Sequence, residues 1–399
     1  DIIPYLDEPE ILVLLGARQV GKTHILYLLQ DILHKKEKKT YYIDLEDRRM
    51  LTILDQGVEA FLAHLDEEGL DYQSLTVFID EIQYFKNPSS FLKLLIDHYG
   101  LKLIVSGSSS FEIKSKFQDS LVGRTLIFTI YPLSFSEFLN FKGEILPSTT
   151  LLSAKKISEL TKLYEEYIIS GGYPRIVLTK EKAKKERFLQ QIIDTYLRVD
   201  IRDIGQIRDL DKFNRLLRIL ATQSGQLLNI QEIANTCQLS KQTVEKYLFI
   251  LENTFVIRIL HPFSTNLRSE LFKQPKIFFY DTGLMHLLAY LSLPNTVMGN
   301  SFENSVLLEL LKNHYDLNFW RTKEKKEVDF IVRKANQKLA IEVKKHFPLG
   351  LGNLNVFQKK YPDYQPVIIG LEGVKRDFCH YPWEISLKNA EIFKPKTNH

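Results

Sequence analysis

Residues 16 to 23 read GARQVGKT, two glycines followed at once by a lysine and a threonine, directly after the apolar run EILVLLG and before the helical pattern HILYLLQDIL. In a G-x-x-x-x-G-K-[ST] loop, Gly16 and Gly21 let the chain curl. The N–H groups of Ala17, Arg18, Gln19 and Val20 then point at phosphate oxygens, aided by the positive end of the following helix. Lys22 is suited to neutralise β- and γ-phosphates, and Thr23 to ligate Mg²⁺. VFIDE ends a later apolar run with two acids. Asp80 is placed to hold Mg²⁺ through water and Glu81 to polarise an attacking water as general base, with helix capping as the alternative for both. The next run ends in SGSSS. There Ser108 or Ser109 can contact the γ-phosphate, unless the segment is only a serine-rich turn. Arg124, ahead of TLIFTI, is a candidate for stabilising transition-state charge in its own chain or a neighbouring one. Arg198 and Arg202 in YLRVDIRDI are further candidates.

A second constellation lies towards the other end. EKKEVDFIV carries Asp329 and, after the polar turn ANQK, KLAIEVKK carries Glu342 and Lys344. Side chains alternate along a strand, so Glu342 and Lys344 share a face that Val343 does not. Acids on adjacent strands that hold a metal ion, with a lysine to orient or deprotonate water, form the layout of a metal-dependent nuclease. Asp329 and Glu342 would be its metal ligands, and Glu303 in FENSVLLELLK could add a carboxylate. The plain alternative is a strand edge with a solvated ion pair, worth at most about 1 kcal/mol. Basic RTKEKK (321–326), beside Trp320, is either a phosphate-contacting segment or a charged loop.

Between the two, NIQEIANTCQLSKQTVEKYLFILENTFVIRIL reads as two helices joined by a tight turn and followed by a β-wing. Ile230, Ile233 and Ala234 share one face of the first helix, and Ser240 is a good N-cap for the second. Lys241, Gln242, Thr243 and Lys246 occupy exposed early positions of that second helix, from which side chains reach base edges or phosphates of DNA. A packing module is the alternative.

The elements that must position these groups are legible in outline. The runs at 10–16, 40–46, 75–81, 101–107 and 124–130 are continuously apolar, which predicts strands of a parallel sheet buried on both faces and covered by helices. From LSFSEFLNF to about Asp203 the pattern is helical, broken at SGGYPRIV by two glycines and a proline, and predicts a lid appended to that sheet. Ordinary apolar and charged contents, 44% and 26%, exclude disorder and collagen-like classes. A net charge of +4 gives no bulk argument for nucleic acid. Cys237 and Cys379 have neither disulfide-framework nor zinc spacing, which fits a reducing cytoplasm. No apolar run approaches the ~20 residues of a membrane helix. The chain opens at Asp1 without a methionine or a signal-peptide pattern, which leaves its natural N-terminus open.

The series LLGARQVGKT, VFIDEIQ, VSGSSS, GRTLIFTIYPLSFSEFL and SGGYPRIV resembles the large prokaryotic family of AAA-type P-loop ATPases whose C-terminal half is catalogued as a domain of unknown function. The resemblance runs over nearly the whole chain. It implies ATP and Mg²⁺ as cofactors, hydrolysis of ATP, and a homo-oligomer, with a hexameric ring among its forms. The order E…D…E-x-K is similar to the PD-(D/E)XK nuclease superfamily, without the proline of that name, and the ATPase family has a similar C-terminal domain. Asp329, Glu342 and Lys344 match that motif one by one. Arg175 departs from the acidic or small residue expected after GGYP and is given no role. The expected fold is α/β: an AAA-type P-loop NTPase domain over 1–142, a helical lid or linker over 143–205, a winged helix over 206–263 and a restriction-endonuclease-like domain over 264–399. The expected function is Mg-ATP hydrolysis coupled to DNA binding or remodelling, of the repair or recombination kind, with a nuclease-like domain that either cuts DNA or is inactive and only binds it, in the cytoplasm and away from membranes. The alternative is a nucleotide-dependent switch that binds protein partners.

Overall fold

The computed structural model describes residues 2–108, 121–200, 207, 209–263 and 274–387. Ser109 and Arg202 lie outside the described residues, as does the side chain of Arg198. The chain divides into two compact units, Asp1–Tyr131 with Asn253–Phe255, and Pro132–Glu252 with Val256–His399.

The first unit is built on β1 (Ile11–Leu15), β2 (Lys39–Asp44), β3 (Leu75–Asp80), β4 (Lys102–Gly107) and β5 (Thr125–Thr129). They form one sheet in the order β2-β3-β4-β1-β5, with every pairing parallel. Alternation sorts the apolar side chains of β1 between two layers. Ile11, Val13 and Leu15 join Phe61, Leu65, Phe91 and Leu95 from helices Val58–Glu67 and Pro88–Tyr99 on one face. Leu12 and Leu14 meet Leu26, Leu29 and Leu33 of helix Lys22–Lys35 on the other. Burial of each such side chain stabilises the fold by about 1.5–3 kcal/mol, which is why β1 and β3 read as unbroken apolar runs. The outer strands β2 and β5 depart from that expectation: most of their residues are only partly buried. Because all strands run the same way, the loops after β1, β3 and β4 emerge at a single edge of the sheet, where ligands of open α/β sheets bind.

The second unit begins with helices Phe135–Phe141, Ala154–Ser170, Pro174–Leu178 and Lys182–Ile192. Expected as a lid on the α/β module, this helical segment instead groups with the C-terminal half. Buried carboxylates account for that. Gly172 N–H and Leu284 N–H donate to the two oxygens of Asp281, at 2.7 and 2.8 Å. Phe135 N–H and Tyr167 OH both donate to Glu309 at 2.9 Å. The glycines of SGG are required by this closeness: a Cβ on Gly171, at φ +79°, would meet the Asp281 carboxylate, and one on Gly172 the Leu133 carbonyl.

Helices Leu210–Thr222, Ile230–Cys237 and Lys241–Asn253 follow, then β6 (Ile257–Leu260), paired antiparallel with β7 (Lys276–Phe279). After helices Thr282–Tyr290 and Gly299–Lys312 come β8 (Asp316–Arg321), β9 (Glu327–Lys334), β10 (Gln337–His346), β11 (Gln365–Glu372) and β12 (Cys379–His380). They make a mixed sheet in the order β12-β11-β10-β9-β8, antiparallel from β8 to β10 and parallel from β10 to β12. Helix Asn353–Lys360 supplies the crossover between β10 and β11. Among the described residues, no helix is long and apolar enough to cross a membrane.

Candidate functional site

The loop from Gly16 to Gly21 leaves β1 and enters helix Lys22–Lys35. Gly16 passes so close to Ile130 that a Cβ there would lie 2.2 Å from its carbonyl oxygen, so only glycine fits. Gln19 and Gly21 have positive φ, +63° and +102°, which gives the loop its curl. Ala17 and Val20 are buried and anchor it, while Arg18 donates to Tyr84 OH at 2.9 Å. The Lys22 side chain is buried and lies along the loop, with Nζ 3.1 Å from both Gly16 O and Ala17 O and 3.5 Å from Ser108 Oγ. Burial lowers its pKa, against the pull of Glu81 and Asp80.

Thr23, on the next residue, donates through Oγ1 to Asp80 Oδ2 at 2.7 Å. Tyr42 OH donates to the same oxygen at 2.9 Å, Ser106 Oγ donates to Oδ1, and Glu81 N–H reaches Oδ1 at 3.0 Å. Burial, followed by the neighbouring Tyr27 and Asp80, raises the Tyr42 pKa far beyond its ordinary value, so Tyr42 remains a donor. Glu81 has left-handed backbone, φ +53°, and its Oε2 accepts from Ser108 Oγ at 2.8 Å and from Gln83 Nε2. The structure therefore brings Gly16 to Thr23, Asp80, Glu81 and Ser108 to one edge of the sheet. The oxygen pair Thr23 Oγ1 and Asp80 Oδ2 is a hard-donor set that suits Mg²⁺, beside a loop that Gly16 lets pack on the Ile130 carbonyl and Gly21 lets turn.

Tyr42, Ser106 and Gln83 were not marked by sequence reasoning. Ser106 carries one available signal, a hydroxyl interrupting the apolar run KLIV one residue before its end. Arg124 lies elsewhere. Its carbonyl accepts from Ile11 N–H at the opposite end of β1, about 16 Å from Gly16 at ~3.3 Å per residue, and its guanidinium grips Asp97 at 2.8 and 3.1 Å. That corrects any role for Arg124 at the site of its own chain, because no arginine side chain spans that length.

In the second unit, Glu303, Asp329, Glu342 and Lys344 do converge. Glu342 Oε1 pairs with Lys344 Nζ at 2.8 Å, and Asp329 Oδ2 accepts from Val343 N–H at 2.8 Å. Two residues that sequence reasoning passed over stand among them. Lys276, at the start of β7 and 2% exposed, contacts Glu303 Oε1 at 3.0 Å and Glu327 Oε1 at 2.6 Å. Burial and the Asp329 charge push Glu303 up to about 8, and the same causes push Glu342 up to about 7. Burial opposes the charge on Lys276, but the carboxylates of Glu303, Asp329 and Glu327 outweigh it and hold its pKa above the ordinary range. Among the described residues, no group of three or more His, Cys, Asp and Glu side chains is placed to hold a metal ion. Trp320, beside RTKEKK, is buried and packs edge-on against Phe357.

On helix Lys241–Asn253, Lys241, Gln242 and Lys246 are exposed and Thr243 is half-buried. Ser240 Oγ accepts from Thr243 N–H at 3.1 Å, which caps the helix. Lys241 lies 3.7 Å from Glu245.

Residues 8–139 match a family model described as an AAA domain. Residues 161–295 and 298–378 match two described as domains of unknown function (DUF8612 and DUF4143). An uncharacterized protein of Haemophilus influenzae is 29% identical over 87% of this chain and 85% of its own length. An uncharacterized protein of Methanocaldococcus jannaschii is 29% identical over 83% of this chain and 74% of its own. Among solved structures, AMPPCP-bound DnaA from Aquifex aeolicus aligns over 63% of this chain and 84% of that one, at 15% identity and a TM-score of 0.29. That score is too low to build on. Residues 8–139 thus carry an AAA domain and residues 298–378 a domain of unknown function.

Proposed function

We propose that this AAA-domain protein binds ATP with Mg²⁺ at the edge formed by Gly16–Thr23, Asp80, Glu81 and Ser108, hydrolyses it, and couples hydrolysis to DNA binding or remodelling. The observation that carries the reading is the 2.7 Å contact between Thr23 Oγ1 and Asp80 Oδ2 beside the glycine cradle. Thr23 and, through water, Asp80 would hold Mg²⁺, which neutralises charge on the phosphates. Lys22 exchanges the Gly16 and Ala17 carbonyls for phosphate oxygens. Glu81 takes a proton from the attacking water, and Ser108 and Gln83 fix the direction of its carboxylate through the contacts they already make to Oε2. Arg124 serves the site of a neighbouring copy in a homo-oligomer, of which a hexameric ring is one form.

For the second unit we carry three further parts of this reading: a helical lid over 143–205, a winged helix over 206–263 and a nuclease-like fold over 264–399, with the last two facing DNA. Lys241, Gln242, Thr243 and Lys246 make the contact from the second helix of the winged fold, in the cytoplasm. The exposure of Lys241, Gln242 and Lys246 supports it.

Phosphate release measured with and without linear and branched DNA tests the proposal. DNA-stimulated release that Lys22→Ala abolishes is the expected result. ATPase activity indifferent to every DNA form, with protein partners captured only in the ATP state, would overturn the DNA half in favour of a nucleotide-dependent protein switch.

A further inference from the structure

The C-terminal cluster resembles a metal-dependent nuclease in the order of its acids and lysine, so it is expected to be arranged around a divalent cation. We propose instead that the cluster carries its own cation: the Lys276 ammonium sits where that ion would have to bind, and the site takes up no metal. This inference is independent of whether the first unit hydrolyses ATP.

Three observations carry it. The first is the way the oxygens are engaged. Glu303 Oε1 and Glu327 Oε1 hold Lys276 at 3.0 and 2.6 Å, Glu327 Oε2 holds Arg321 at 2.9 Å, Asp329 Oδ2 is bound by Val343 N–H, and Glu342 Oε1 by Lys344. One oxygen, Glu342 Oε2, is buried with no hydrogen-bond partner among the described residues, and a divalent ion drawn to it would stand beside the Lys344 ammonium held on Oε1; at the other carboxylates the ion would have to displace these partners. The second is that Lys276 cannot easily withdraw. It pairs with Leu260 in the β6–β7 ladder and bridges to Leu227, and the residues after it, Ile277, Phe278 and Phe279, are fully buried. Its side chain is 3% exposed and also lies 5.6 Å from the centre of the Phe319 ring. The third is that removal of such a partner leaves carboxylates buried without a counter-charge, whereas the pair as found is satisfied. An internal lysine is a permanent occupant, unlike an ion that must be drawn from solution.

Lys276 thus ties β7 to helix Gly299–Lys312 through Glu303 and to β9 through Glu327. The cluster then acts as a charged joint inside the fold, and any hold this unit has on DNA is exerted without cutting.

Mn²⁺ bound to the nucleotide-free full-length chain, counted by electron paramagnetic resonance, tests the inference. Wild type and Asp329→Asn should retain the same amount. Lys276→Met should gain about one equivalent, and the further substitution Asp329→Asn should remove it. Wild type retaining one equivalent more than Asp329→Asn would overturn the proposal, as would Mn²⁺-dependent DNA scission lost in Asp329→Asn. A folded Lys276→Met that gains no Mn²⁺ would overturn it too. Should Lys276→Met fail to fold, the comparison of wild type with Asp329→Asn still decides.

Discussion

Replacement of Tyr42 by phenylalanine isolates how Asp80 is held. The side chain keeps its ring, which packs 5.0 Å from Tyr27, and loses only the hydroxyl that donates to Asp80 Oδ2. Asp80 retains Thr23 Oγ1, Ser106 Oγ and Glu81 N–H, so three of its four donors remain. Loss of an outer partner of a metal-binding group weakens metal affinity by about 10–100-fold, and with three donors left the low end applies: about tenfold, or ~1.4 kcal/mol. The assay is phosphate release at saturating ATP over a series of Mg²⁺ concentrations. The midpoint for Mg²⁺ should rise about tenfold in Tyr42→Phe, while the rate at saturating Mg²⁺ stays near wild type. An unchanged midpoint would refute the view that Tyr42 orients the Mg²⁺ site. A total loss of activity in a folded variant would equally refute it, since Tyr42 would then be doing more than positioning.

Leu14→Ala should lower the stability of the first unit by about 2–5 kcal/mol, because Leu14 is fully buried in the layer with Leu26, Leu29 and Leu33; urea unfolding reads it. In the second unit, burial lowers the pKa of His286 to about 4 while its ring contacts Ile169 O and Ser301 Oγ. An unfolded chain therefore binds this proton first as pH falls, so the stability from neutral His286 is complete above about 6.5 and lost on descent towards 4. Asp281, pushed up to about 6 by burial, works in the opposite sense, so urea midpoints at pH 7 and pH 5 should be compared between wild type and His286→Gln, and the variant should lose less on acidification.

The phosphate loop and its sheet were legible because both are local. Gly16, Gly21, Lys22 and Thr23 fall within one eight-residue stretch, and a strand buried on both faces must be apolar throughout. Tyr42, Ser106 and Gln83 were not legible, since their value depends on which strands and loops lie beside β3, and register Asp44↔Asp80 is a property of the folded sheet. The same holds for Lys276: a lysine opening KIFF reads as a strand terminus until β7 is brought against Glu303 and Glu327. β8 is not legible either, because DLNFWR neither alternates strictly nor runs continuously apolar. The grouping of the helical segment with the second unit is not legible because the atoms that hold it, Asp281 and Glu309, come more than a hundred residues later.

The backbone of Glu81 sets two demands on one residue against each other. A left-handed non-glycine residue costs about 1–3 kcal/mol, and here it carries a carboxylate held by Ser108 and Gln83. Folding alone would favour glycine or asparagine at this position. A mutational survey scored for abundance and one scored for phosphate release would therefore rank the substitutions at position 81 in opposite orders.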